Sequence, residues 1–434
     1  MGKELITRVK GVKDILPAQS IRWLEVESLA RLLFSTYNYQ EIRLPVFEKT
    51  EVFARSIGET SDIVEKEMYT FQDRGGESLT LRPEGTASMV RAYVENSLYG
   101  RGGVQKYYYL GPMFRAERPQ AGRFRQFHQI GAEVFGSDDP AVDAETILLL
   151  VTFLTGVGVG GLEVRLNSLG CPACRPSYRA ALTAFLQTRL TRLCDNCRGR
   201  IGRNPLRALD CKSPSCQEAV KDAPVIGDHL CEGCRTHFGR VRALLESQQV
   251  AYALDPRLVR GLDYYTRTAF EVTSSRLGAQ NAIAGGGRYN GLVEEFGGPP
   301  TSAIGFAVGI ERLITLLEGG PDLEHAPDVF VVGAGESVLV DDKVFEVAQN
   351  LRVAGIFADR AFGGGKLKNQ MKKADKSGAM VTVIVGDDEL TKNVATVRIM
   401  KTGEQHSVPF DELAQWLSEF VNNEEQFEDD DFDG

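Results

Sequence analysis

"GPMFRAERPQAGRFRQFHQIGAEVFG", residues 111–136, sets four arginines, a histidine and two carboxylates between apolar runs that read as β-strands. From Phe124 onward the text alternates. Arg125, Phe127, Gln129, Gly131 and Glu133 share one face, and Phe124, Gln126, His128, Ile130, Ala132 and Val134 share the other. The first face offers a cation, a flat ring, an amide, a gap and a carboxylate in one row. Glycine in mid-strand leaves space for a ligand to lie against the sheet, and charge at such positions is costly unless something pairs with it. A hairpin with a solvated face is the plain reading. Against it stands the loop "ERPQAGRFRQ", where Arg118, Arg123 and Arg125 fan around a turn in a way that suits polyphosphate.

Two other stretches supply matching parts. "TLRPEGT" puts Glu84 and Thr86 after a proline that ends a strand, so both can face a pocket at its end. "AIGFAVGIERL" is a small-residue strand running into a helix with Arg312 on its first turn, placed to stack on a planar ring. Around them lie an amphipathic helix at 20–39 and short strands rich in Tyr and Phe, without strand–helix alternation. That pattern predicts an α+β domain over residues 1–325, with a largely antiparallel sheet flanked by helices. All eight cysteines fall within 171–234, marking an inserted Cys-rich module at about 171–245. "PDLEHAPD" (321–328) reads as a linker. From 328 to 421 strands and helices alternate, which predicts a small α/β domain with a parallel or mixed sheet.

The chain has 434 residues and a net charge of −9. Its last eleven residues, "EEQFEDDDFDG", hold seven acidic groups and no basic one, so −9 − (−7) leaves −2 for the other 423. Such a tail, 422–434, is expected to be disordered. A near-neutral body can still bind RNA through local basic patches. With no apolar run of membrane-spanning length and no apolar leader, the chain reads as cytoplasmic, with no membrane role.

These motifs resemble those of the class II aminoacyl-tRNA synthetases, and within them the histidyl-tRNA synthetase family. "YQEIRLPVFEKTEVFARSIG", with Pro45, is similar to the first class motif, which in the family builds a homodimer interface. "FRAERPQAGRFRQFHQIGAEVFG" is similar to the second and "AIGFAVGIERL" to the third. "LVRGLDYYTRTAFE" and "AGGGRYNGL" resemble the two histidine-specific signatures. The resemblance implies ATP-dependent ligation of L-histidine to its tRNA through a histidyl adenylate, with release of pyrophosphate and AMP, and with Mg2+ accompanying ATP.

It also implies roles for individual residues. Arg115 would hold the α-phosphate and the amino-acid carboxylate, and Arg260 would be a further cation there, so these two are the expected catalytic residues. Glu117 would contact adenine, Arg123 the γ-phosphate, and Phe127 with Arg312 would sandwich the adenine ring. Glu84, Gly85, Thr86 and Gln129 would surround the α-ammonium of histidine. Glu133 and Tyr265 would hold its imidazole, with Tyr264 and Tyr289 lining the pocket. Gln120 would help read the extra 5′ guanosine of histidine tRNA. Neutral imidazole has one donor and one acceptor nitrogen, which a carboxyl and a phenol together satisfy. Joining a carboxylate to a phosphate brings two anions together, so cations and alignment matter more than a nucleophile.

Cys171-x2-Cys174 with Cys194-x2-Cys197 fits a four-thiolate zinc spacing, and Cys211-x4-Cys216 with Cys231-x2-Cys234 is a second such set. Spacing alone leaves the pairing, and the choice of one or two ions, open. Reduced cysteines without metal are the other reading. In the family the insertion reaches the tRNA acceptor stem, and "CRGRIGRNPLRALDCK" is basic enough for that. The 328–421 unit resembles the anticodon-binding domain of the class. Its segment 363–378 carries Lys366, Lys368, Lys372, Lys373 and Lys376, a phosphate surface or simply a solvated helix. Two competing readings are a non-catalytic paralogue of the synthetase fold and a zinc-stabilised RNA-binding regulator. Intact Glu84, Arg115, Glu133, Arg260 and Arg312 argue against both.

Overall fold

A computed structural model describes residues 5–57, 63–119, 123–276, 282–317, 326–335, 337–363 and 365–430, with the backbone alone at 65 and 423–430. The chain divides into two units, Met1–Pro321 and Asp322–Gly434.

The first unit has strands β1 (Gln40–Glu41), β2 (Phe47–Lys49), β3 (Tyr69–Gln72), β4 (Ser78–Leu81), β5 (Gln105–Phe114) and β6 (Gln126–Phe135). These are followed by β7 (Leu162–Ser168), β8 (Tyr252–Leu254), β9 (Thr266–Ser274), β10 (Ala282–Arg288) and β11 (Ala303–Gly309). Eight of them form one sheet in the order β1-β5-β6-β11-β10-β9-β7-β8. The six inner strands pair antiparallel, and the edge pairs β1/β5 and β7/β8 are parallel. Strands β2, β4 and β3 make a small antiparallel sheet of their own.

Its helices are α1 (Pro17–Thr36), α2 (Thr50–Ile57), α3 (Thr86–Glu95), α4 (Pro140–Gly156), α5 (Arg175–Gln187), α6 (Asp195–Arg200), α7 (Pro214–Ala219), α8 (Glu232–Ser247), α9 (Leu292–Glu295) and α10 (Ile310–Leu317). Pro140 sits in the first turn of α4, and Asp139 caps it by accepting from the Ala141 N–H at 2.8 Å. The apolar run of α4 then packs with α1, α8 and the sheet in the main core, against Ile130, Ala132 and Val134 of β6. The alternate residues of β6 face the other way. There the aromatic cluster of Tyr107, Tyr109, Phe135, Tyr264, Tyr265 and Tyr289 lies beside α3. One face of the sheet is therefore covered by helices, and the charged row of β6 belongs to the other.

A buried ion pair pins the second glycine-rich motif. Arg288 and Asp143 are both 0% exposed. The Arg288 Nε donates to both carboxylate oxygens at 2.8 and 3.0 Å, and its Nη1 and Nη2 reach the carbonyls of Ser137 and Asp139. With its donors used, burial of the charge is tolerable, and Tyr289 next in sequence is fixed. The cysteine module leaves after β7 and returns at β8, two strands that lie side by side. It has a core of its own made of the buried cysteines, Tyr178, Leu182, Leu186 and Ile226.

The second unit contains β12 (Val329–Ala334), α11 (Val338–Val353), β13 (Ala358–Arg360), α12 (Leu367–Ser377), β14 (Val381–Gly386), α13 (Asp387–Lys392), β15 (Val394–Ile399), β16 (Gln405–Pro409) and α14 (Leu413–Asp430). Its sheet is mixed, in the order β13-β12-β14-β15-β16, parallel across the first three strands and antiparallel after. The five lysines of segment 363–378 are all exposed, on α12 or at its start, with Gln370 and Ala374 as its buried side. Helix α14 continues through residues 422–430, where charge density alone predicts no structure.

Candidate active site

On the exposed face of the large sheet lies a cavity of about 1000 Å³. Of the site residues read from sequence, Glu84, Thr86, Arg115, Glu117, Arg123, Phe127, Gln129, Arg260, Tyr264, Tyr265 and Arg312 line it. Gly85, Glu133 and Tyr289 stand behind its wall. Arg118 and Arg125 do not line it: Arg118 is exposed, and Arg125 donates to the backbone carbonyls of Glu117 and Lys10. Gln120 lies outside the described residues.

One end of the cavity is cationic. Arg115 follows β5, donating from Nε to the Pro83 carbonyl at 2.9 Å, with its guanidinium 5.1 Å from the Phe127 ring centre. Glu117 takes a hydrogen bond from Arg123 at 3.0 Å and lies 3.8 Å from Arg115. Arg312, on the first turn of α10, donates to the Ala282 carbonyl at 2.6 Å. Arg260 comes from the segment between β8 and β9, and its Nη1 meets Glu271 at 3.0 Å. Burial opposes its charge, but Tyr265 and Glu271 outweigh burial and raise its pKa. The guanidinium rests where Gly285 of β10 has no side chain; a Cβ there would collide with it.

The other end is a buried carboxyl. Glu133 is 1% exposed. Thr86 Oγ1 donates to its Oε1 at 2.7 Å, Tyr289 Oη to its Oε2 at 2.7 Å, and Tyr109 Oη lies 3.4 Å from Oε1. Gly305 of β11 stands opposite it in the ladder, and a Cβ there would fall onto the carboxylate. Burial pushes the Glu133 pKa up to about 8, against the pull of those hydroxyls. Glu84 caps α3, its two oxygens accepting from the Thr86 and Ala87 N–H groups at 2.8 Å each. Burial raises its pKa too. Between the two ends, Gln129 Oε1 and Tyr264 Oη are buried without a hydrogen-bond partner among the described residues. Unpaired polar atoms of this kind at a cavity wall mark a place for a polar ligand.

The eight cysteines form two four-thiol groups, with sulfur atoms in each lying within 4.8 Å of one another. Their membership departs from sequence order. Cys171 and Cys174 join Cys231 and Cys234, and Cys194 and Cys197 join Cys211 and Cys216. The module leaves and returns through the adjacent strands β7 and β8, so its first and last pairs meet and the middle pairs lie together between them. Sulfur separations of 3.6 Å (Cys171–Cys174), 3.8 Å (Cys194–Cys211) and 3.9 Å (Cys171–Cys231) are far beyond a disulfide. They match the edge of roughly 3.8 Å of a tetrahedron with Zn–S bonds of about 2.3 Å. The Cys194 N–H donates to Cys216 Sγ and the Cys231 N–H to Cys174 Sγ, both at 3.1 Å.

Sequence reasoning missed Tyr109, Glu271, and Arg207, which contacts the Arg260 segment. Tyr109 reads as one more aromatic in "KYYYL", and only its register opposite Gly131 brings it under Glu133. Glu271 ends the quoted "TRTAFE" but carries no local signal of pairing with Arg260.

Comparison with known proteins gives one consistent result. The family model for histidyl-tRNA synthetase matches residues 11–313, and that for an anticodon binding domain matches 328–420. The chain is 52% identical over 425 residues to a histidine–tRNA ligase of Pelotomaculum thermopropionicum, covering 97% of this chain and 100% of the relative. It is 51% identical over 415 residues to that of Halothermothrix orenii, covering 95% and 99%. Its fold is similar to the crystal structure of apo histidyl-tRNA synthetase from S. aureus, with a TM-score of 0.81 and 38% identity, covering 95% and 100% of the two chains.

Proposed function

The chain belongs to the histidyl-tRNA synthetase family and ligates L-histidine to tRNA with ATP, and from that premise we propose how its residues divide the work. ATP lies at the cationic end, its adenine between Phe127 and Arg312 with Glu117 at the ring edge, and Arg123 takes the γ-phosphate. Histidine lies at the carboxyl end. Glu84, Thr86 and Gln129 receive its ammonium, while Glu133 and Tyr265 hold the ring nitrogens, and Tyr264 and Tyr289 shape the pocket. The observation that carries this reading is a cavity that gathers Arg115, Arg123, Arg260 and Arg312 and has in its wall two buried atoms, Gln129 Oε1 and Tyr264 Oη, with no hydrogen-bond partner among the described residues.

The carboxylate oxygen of histidine then attacks the α-phosphorus, a P–O bond forms as the bond to pyrophosphate breaks, and pyrophosphate leaves. Arg115 and Arg260 are the catalytic residues, drawing charge from the α-phosphate as attacking and leaving oxygens share it. A tRNA terminal hydroxyl next attacks the carbonyl of the adenylate, and AMP leaves with the bonding pair. Magnesium accompanying ATP would neutralise the outer phosphates.

The two cysteine groups would hold one structural zinc each, supported by their sulfur separations and by the N–H groups that meet Cys216 and Cys174. Zinc would add folding energy to a module whose own core is built around these cysteines. Val46 and Phe47, following Pro45, are 39% and 50% exposed, which supports a homodimer formed through this segment. The basic insertion faces the acceptor stem and the lysines of α12 the anticodon side, in the cytoplasm.

Histidine methylated at either ring nitrogen tests the pocket. Both analogues should fail to support ATP–pyrophosphate exchange, because each leaves Glu133 or Tyr265 unpaired. Exchange near the histidine rate with either one would overturn the assignment.

A further inference from the structure

The cysteine module reaches the catalytic segment through arginine. Residues 204–207 lie between Cys197 and Cys211, both in the second four-thiol group. From there Arg207 Nη2 donates to the Gly261 carbonyl at 2.6 Å and to Asp263 Oδ1 at 2.9 Å, and Nη1 to the Arg260 carbonyl at 3.4 Å. Asn204 Nδ2 donates to the same Asp263 oxygen at 3.0 Å. The Arg207 side chain is 10% exposed. Val259, just before Arg260, packs against both the core of the module and the tyrosine cluster of the pocket. The other four-thiol group sends a similar arm: Arg175, directly after Cys174, donates to the Tyr265 carbonyl.

The segment that needs holding has no ladder of its own. Residues 258–265 belong to no strand or helix, yet Arg260 must keep its guanidinium over one phosphorus. Three acceptors gathered on one planar fork fix both position and orientation, which a point charge would not. We infer that Arg207 is a positioning residue for adenylation, holding the 260–263 backbone so that Arg260 stays aimed at the α-phosphate. The inference rests on the reading of Arg260 given above.

The test is single-turnover histidyl-adenylate formation, with histidine affinity and zinc content measured on each variant. Arg207→Ala should slow adenylation on the order of 10- to 100-fold, the usual result of displacing a reacting group by about 1 Å, with histidine affinity and zinc content unchanged. Arg207→Lys should recover part of the rate. In an Arg260→His background, adding Arg207→Ala should cost nothing further, because its target is gone. An unchanged rate in Arg207→Ala, or a loss that multiplies in full with that of Arg260→His, would overturn the inference. Should Arg207→Ala lose its zinc, Asp263→Asn probes the same contact from the segment's side: a smaller loss, silent in the Arg260→His background, supports the inference, and no loss overturns it. Normal adenylation by Arg260→His alone would remove both the Arg260 assignment and this inference, whereas a normal rate confined to the Arg207 and Asp263 variants removes only the latter.

Discussion

The two ends of the cavity handle charge in opposite ways. At the cationic end the arginines stay partly exposed and rest against acceptors of the chain: Arg260 on Glu271, Arg123 on Glu117, Arg115 on the Pro83 carbonyl. At the other end Glu133 is sealed behind the wall, meets three hydroxyls and is held neutral up to about pH 8 by burial. The difference suits the ligands proposed for the two ends. Phosphates are anionic throughout the reaction and need permanent positive charge. A neutral ring needs directed hydrogen bonds in a dry pocket, where an unpaired partner is expensive.

Arg260→His gives the sharpest break between the two ends. Pyrophosphate exchange should fall by about 10³-fold, since removal of one preorganised donor already costs roughly 10²–10³; exchange within tenfold of the parent chain would erase the distinction. Next in size, Glu133→Gln should weaken histidine by about 10²-fold, the scale of a lost polar partner in a closed site, as calorimetry would record. The same change should stabilise the fold above neutral pH. Glu133 keeps its proton to about pH 8 when folded but ionises near 4.5 when unfolded. Its contribution is therefore complete below pH 4.5 and is lost as pH rises to 8. At pH 7 the deficit is about 3–4 kcal/mol, from roughly 2.5 pH units at about 1.36 kcal/mol each. Melting curves of the two chains should separate between pH 5 and 8 and converge below 4.5; a constant gap would mean that Glu133 does not titrate in this window.

Smaller effects test the module and the tail. Cys216→Ser should remove one of two zinc equivalents, lower the melting temperature and reduce exchange severalfold, because Lys212, Gln217 and Lys221 beside it line the cavity. Metal analysis showing no zinc in the parent chain would dismiss the metal. Deleting 422–434 should tighten tRNA binding slightly at low salt, with the gain fading as salt rises. Equal affinities at low salt would show that the acidic segment does not compete for the basic surface.

Much of this was legible from the chain. The period of two in β6 set Phe127 and Gln129 on the cavity face and Ile130, Ala132 and Val134 in the core, as the sheet has them, but nearer the turn it failed: Phe124 lines the cavity and Arg125 does not. The glycine-rich strands leave room for side chains of other segments: Gly285 makes way for Arg260 and Gly305 for Glu133. What was not legible depends on contacts between distant segments. Tyr109 meets Glu133 only through the β5/β6 register, and Arg288 finds Asp143 across 145 residues. The cysteines paired first with last because a returning chain brings its ends together, and spacing does not encode which knuckle meets which. Nothing in "RIGRNPLRALD" told that Arg207 would meet the backbone at Gly261.

The most direct measurement is the histidine dissociation constant of the Arg260→His chain, taken beside its exchange rate. A constant close to that of the parent chain, with exchange collapsed, is what a cavity with separate phosphate and imidazole ends predicts. Histidine affinity that weakens in step with exchange would contradict that division.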